Sequence, residues 1–126
     1  MARILIADDD PLVTRVLCTI LQNAGHEVMT EVDGARALIA AHEKLPDVIL
    51  LDIVMPIMDG LTALRLLKTH VRTCEIPVVI ITGHDEVANV AGGYDFGADL
   101  LLGKPFEPED VVTTIDRVIG GGDDEE

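Results

Sequence analysis

The chain has 126 residues, 48% hydrophobic, 25% charged and 2% aromatic, with a formal net charge of −14. That length suits one domain with an aliphatic core, and the composition excludes a disordered chain. So acidic a protein is a poor fit for direct nucleic-acid binding or for anionic membranes, since both are gripped through Lys and Arg.

The first aliphatic run, RILIA at 3–7, predicts a strand. Val13, Val16, Leu17, Ile20, Leu21 and Ala24 then recur at helical spacing and predict an amphipathic helix over 12–24, ended by Gly25. HEVMTEV, at 26–32, alternates in part and reads as an edge strand. A second helix over 34–44 places Ala35, Leu38, Ile39 and His42 on one face and stops before Pro46. DVILL, at 47–51, is a buried strand, followed by a helix at about 60–70 carried by Leu61, Leu64 and Leu67.

PVVIIT, at 77–82, is the most β-branched run. Val87, Val90, Ala91 and Tyr94 keep helical spacing over 85–95, in a helix that Gly92 and Gly93 weaken by about 1 kcal/mol each. ADLLLG, at 98–103, is the fifth strand. Pro108 opens a last helix with Val111, Val112, Ile115, Val118 and Ile119 on its apolar side. Residues 1–119 thus read as one domain, and 120–126, ending in GGGDDEE, as a flexible acidic tail or the start of a linker.

No apolar run approaches the roughly 18 residues a membrane span needs, so a soluble, cytoplasmic protein is expected. Cys18 and Cys74 make no disulfide framework and belong to no CxxC or Cys/His cluster, so both read as buried or half-buried free thiols.

Five strands alternating with five helices, the strands mostly continuous apolar runs, indicate a doubly wound α/β fold with a parallel sheet covered on both faces. Ligands in such sheets lie outside the carboxyl ends of the strands. Those ends carry Asp8-Asp9-Asp10, Asp52, Thr82-Gly83 and Gly103-Lys104-Pro105. Asp10 before Pro11 is a helix cap. The other acids are costly together unless a divalent cation neutralises them, and hard oxygen ligands without His or thiolate point to Mg²⁺. Lys104 and Thr82 add a charge partner and a hydroxyl donor for a phosphoryl oxygen. The set describes a phosphoryl-transfer site with no glycine-rich phosphate loop.

These stretches, ILIADDDP, DVILLDIVMPIMDG, PVVIITG and GADLLLGKPFEPED, closely resemble the receiver domains of bacterial two-component response regulators, in order and spacing from Ile4 to Ile119. The resemblance implies the flavodoxin-like sheet order 2-1-3-4-5 with five helices on both faces. It implies that Asp52 accepts a phosphoryl group from the phosphohistidine of a sensor histidine kinase or phosphotransfer protein. Asp9, Asp52 and the Val54 backbone carbonyl would bind Mg²⁺ directly, and Asp8 through water. Thr82 and Lys104 would bind the transferred group, with the Lys104-Pro105 bond cis. A phosphorylation-driven switch would pass the signal to a downstream protein or a fused output domain. Such a domain is not an enzyme beyond self-phosphorylation and autodephosphorylation.

Two positions bear on the switch. The family usually has Tyr or Phe where this chain has Leu101, so no aromatic ring can swing inward. His84 holds a position that influences loss of the phosphoryl group in the family. His26, His42 and His70 read as surface or helix-flank residues. Two alternative readings account for fewer of these residues. A haloacid-dehalogenase-like phosphatase would use Asp8-x-Asp10 and leave Asp52 idle. A receiver-like interaction module that is not phosphorylated typically loses an acid or the lysine, all of which are present here.

Overall fold

A computed structural model of the chain describes residues 1–83 and 97–120. Five strands, β1 (Arg3–Ala7), β2 (Glu27–Glu31), β3 (Val48–Asp52), β4 (Val78–Thr82) and β5 (Leu100–Gly103), form one sheet in the order β2-β1-β3-β4-β5. All neighbouring pairs are parallel. Among the described residues there are four helices, α1 (Pro11–Asn23), α2 (Gly34–Lys44), α3 (Gly60–Lys68) and α4 (Pro108–Gly120). The helix expected over 85–95 falls outside the described residues, with His84, Gly92, Gly93 and Tyr94.

Alternation along the strands sorts the core into two layers. Leu5, Ala7, Ile49, Leu51, Val78 and Ile80 pack with Ala37, Ala40 and Ala41 of α2 and Ala63, Leu64 and Leu67 of α3. Ile4, Ile6, Val48, Leu50, Val79 and Ile81 pack with Leu17 and Leu21 of α1 and Val111 and Ile115 of α4. Both faces are covered, so all five residues of β3, and of β4, are buried. The edge reading of HEVMTEV holds: β2 is a terminal strand with no fully buried residue.

The helix ends follow local chemistry. Asp10 caps α1, its Oδ1 accepting from the Leu12 N–H at 2.9 Å. Asp33 and Asp59 cap α2 and α3 in the same way, accepting from the N–H groups of Arg36 at 2.7 Å and Thr62 at 2.8 Å. Each of these two caps is followed by glycine for a steric reason. A β-carbon on Gly34 would overlap the Met58 carbonyl, and one on Gly60 would overlap the carbonyl of Asp52. The start of α3 is thereby held against the end of β3.

Two helix faces differ from expectation. α2 buries Gly34, Ala37, Ala40 and Ala41, while Ile39 is exposed and Ala35, Leu38 and His42 are half-buried. Small residues let α2 approach the sheet closely, so the alanine side wins over the larger apolar side chains. On α1, Val16 is exposed while Leu17 and Leu21 form its buried line. Cys18 and Cys74 are half-buried and free. No helix among the described residues is long and apolar enough to cross a membrane.

Candidate functional site

The register of the parallel strands assembles the site. Ala7 pairs with Leu51, and one residue further along each chain stand Asp8 and Asp52. Asp52 pairs with Ile81 and Thr82 with Gly103, which brings Thr82 and then Lys104 to the same rim. Residues far apart in sequence thus converge because parallel strands all present their carboxyl ends on one side.

Asp8 and Asp52 are buried, at 2% and 4% exposure, and Asp9 is exposed. One oxygen from each of the three lies within 4.8 Å of the other two. Lys104 Nζ is 3.2 Å from Asp52 Oδ1 and 3.7 Å from Asp8 Oδ2. Asp8 Oδ1 accepts from the Asp10 N–H at 2.9 Å, and the Asp8 carbonyl accepts from the Thr14 hydroxyl at 3.3 Å. Thr82 is buried at the end of β4, and its carbonyl accepts from the Lys104 N–H at 2.7 Å. The Lys104-Pro105 bond is cis.

At an effective dielectric of about 20, carboxylates this close repel by roughly 3–4 kcal/mol per pair, and each lysine contact returns a similar amount. Lys104 therefore offsets the mutual repulsion but not the desolvation of two buried carboxylates. Asp8 shows the remainder. Burial pushes its carboxyl above the ordinary aspartate range, against the Asp10 amide and Lys104, which lower it; Asp9 and Asp10 add to the rise. Its Oδ2 is buried with no hydrogen-bond partner among the described residues.

That oxygen tests the fit of a cation directly. A buried carboxylate oxygen with no hydrogen-bond donor, beside two further carboxylates and with no His or Cys in the cluster among the described residues, matches a hard divalent ion such as Mg²⁺. Exposed Asp9 leaves the group open to solvent, as an ion that keeps several waters requires.

A model of the response regulator receiver domain matches residues 4–116. The chain belongs to the response regulator receiver domain family. It is 37% identical over 115 residues to the DNA-binding dual master transcriptional regulator RpaA of Synechocystis sp., covering 91% of this chain and 48% of that protein. It is 39% identical to Protein PilH of Pseudomonas aeruginosa, over 96% of this chain and 100% of PilH. The receiver domain thus spans about half the length of the first of these relatives and the whole of the second. Among solved structures, it is similar to the receiver domain of sensor histidine kinase PA1611 from Pseudomonas aeruginosa. That likeness has a TM-score of 0.89 and 26% identity, over 95% of this chain and 98% of the other. The PA1611 domain was solved with a magnesium ion coordinated in its active site cleft. Receiver domains bind Mg²⁺ at such an acidic site and are phosphorylated by histidine kinases.

The expected residues are brought together in this receiver domain: Asp8, Asp9, Asp52 and Lys104 in direct proximity, with Thr82 on the neighbouring strand end. Val54 follows in the loop after β3, its side chain exposed. Asp10 is spent on its helix cap and stands outside the carboxylate cluster, which counts against the phosphatase alternative. Leu101 is half-buried on β5, beside Ile80 and packed on the α2/α3 side of the core. His84 lies outside the described residues. His26 is half-buried, its Nδ1 accepting from the Ala2 N–H at 3.0 Å, and the His42 and His70 rings meet edge to face. Sequence reasoning missed Gly34 and Gly60. Their signal was available: each follows an aspartate at a helix start, in Asp33-Gly34 and Asp59-Gly60.

Proposed function

We propose that Asp52 is the phosphoacceptor of this receiver domain, taking a phosphoryl group from the phosphohistidine of a sensor histidine kinase or phosphotransfer protein. The observation that carries this is the 3.2 Å pairing of Lys104 with a buried Asp52 inside the three-carboxylate cluster. An Asp52 oxygen forms the new bond to phosphorus while the bond from phosphorus to the imidazole nitrogen breaks, and the imidazole leaves with its electron pair. Lys104 then exchanges part of its contact with the carboxylate for a phosphoryl oxygen. The Thr82 hydroxyl, at the adjoining strand end, donates to another. Asp8, Asp9, Asp52 and the Val54 carbonyl would hold Mg²⁺, which would supply charge neutralisation for a loose phosphoryl-transfer state.

Phosphorylated Asp52 carries roughly two negative charges in place of the carboxylate's one, and the segment around Thr82 repacks to pass the signal on. The domain spans 1–119, with 120–126 as tail or linker, and works in the cytoplasm. It turns over no substrate beyond its own phosphorylation and dephosphorylation. Its output is a downstream protein or a fused output domain, and it does not bind nucleic acid itself. The test is labelling by acetyl phosphate with Mg²⁺. Asp52→Asn should abolish it with the fold intact, and label persisting on Asp8 or Asp10 would overturn the assignment.

A further inference from the structure

Ile57 stands where a β-branched side chain is least at ease. Its φ of 69° lies in the left-handed region, and the Met58 N–H closes the turn on the Pro56 carbonyl at 2.7 Å. Such a three-residue turn with positive φ is strained, and glycine or asparagine would occupy it more readily. The core does not account for isoleucine here, because Ile57 is 82% exposed. Other residues anchor the loop: Ile53 and Met55 are buried, and the Met58 carbonyl accepts from the Gly34 N–H at 3.0 Å. Val54, in the same loop, is 57% exposed. The chain therefore keeps two aliphatic side chains in water immediately after Asp52, one of them in a strained conformation.

We propose that Ile57, with Val54, is the apolar anchor on which a protein phosphodonor seats itself over Asp52; this rests on the reading of Asp52 as phosphoacceptor. Asp52 is only 4% exposed, so a phosphohistidine carried on a protein reaches it only if the donor's surface lies against the surrounding rim. The loop that holds Ile57 leaves β3 directly at Asp52, which makes it part of that rim. The matching feature on the donor is an aliphatic patch beside the phosphohistidine. A small donor such as acetyl phosphate enters without touching Ile57.

The experiment compares Ile57→Gly, Ile57→Asn and Ile57→Leu with the parent chain. Three quantities are read: labelling of Asp52 by acetyl phosphate, the rate of transfer from a phosphohistidine-loaded sensor-kinase core, and the thermal midpoint. The core used is the one from the source organism that transfers fastest to the parent chain. Gly and Asn should raise the midpoint and keep acetyl phosphate labelling within about twofold. Both should slow transfer from the kinase about tenfold or more, the size of one anchor residue, while Leu keeps most of the parent rate. Kinase transfer unchanged in both Gly and Asn variants overturns the anchor. Failure of acetyl phosphate to label Asp52 in the parent chain overturns the phosphoacceptor reading instead, so the two are told apart.

Discussion

Lys104 reaches across β4 from the end of β5 to Asp52 on β3, Nζ to Oδ1 at 3.2 Å, joining residues 52 positions apart. The same ammonium lies 3.7 Å from Asp8 Oδ2, so one cation serves two buried carboxylates. Lys104→Met should therefore lower stability by about 1–3 kcal/mol in chelator, less than for a fully buried pair because the lysine is part exposed. Excess Mg²⁺ should narrow the gap. Urea unfolding with and without the ion measures both, and equal stability of variant and parent in chelator would contradict this account.

Asp8 gives the pH dependence. Its folded pKa is raised, chiefly by burial, so its contribution to stability is fully present below the unfolded aspartate value of about 3.9. That contribution is lost as pH rises through the higher folded value. In chelator, the parent should lose stability across this window while Asp8→Asn does not. With Mg²⁺ in excess the ordering should reverse, because the variant lacks a charged ligand. Unfolding curves over a pH series would show it, and parallel curves in chelator would count against the role given to Asp8.

Asp9 separates metal binding from packing. Because Asp9 is exposed and its charge only repels Asp8 and Asp52, Asp9→Ala should not lower metal-free stability. The parent should gain about 2.7 kcal/mol from Mg²⁺ at a hundredfold excess over Kd, by mass action. Thermal unfolding with added Mg²⁺ reads this gain, which Asp9→Ala should largely remove. A full gain in the variant would mean the ion sits elsewhere.

Leu101 stands where the family usually has an aromatic. It is half-buried against the core, so Leu101→Ala should cost about 1–2 kcal/mol, below the range for a fully buried leucine. Labelling of Asp52 by acetyl phosphate should be unaffected. NMR spectra with and without a phosphoryl mimic should show little rotamer change at Leu101. A large phosphorylation-dependent flip would show that the side chain switches without a ring.

Much of this was legible in the residues themselves. Continuous aliphatic runs such as VILLD and VVIIT can only be strands covered on both faces, and their alternation with amphipathic stretches leaves a doubly wound sheet. Once the sheet is parallel, Asp8, Asp52, Thr82 and Lys104 must share one rim, since each follows or ends its strand. Local patterns also carried the caps at Asp10 and the stop at Gly25, whose φ is 96°. What local pattern could not carry was decided by contacts distant in sequence. The alanine face of α2 prevailed over Ile39 because the close approach of helix to sheet favours small side chains. Gly60 is required by the Asp52 carbonyl, Asp8 Oδ2 is buried with no hydrogen-bond donor among the described residues, and Ile57 is turned to positive φ by the path of its loop. Spacing along a chain measures neighbours within an element; these features depend on how the elements meet, and only the packed fold determines that.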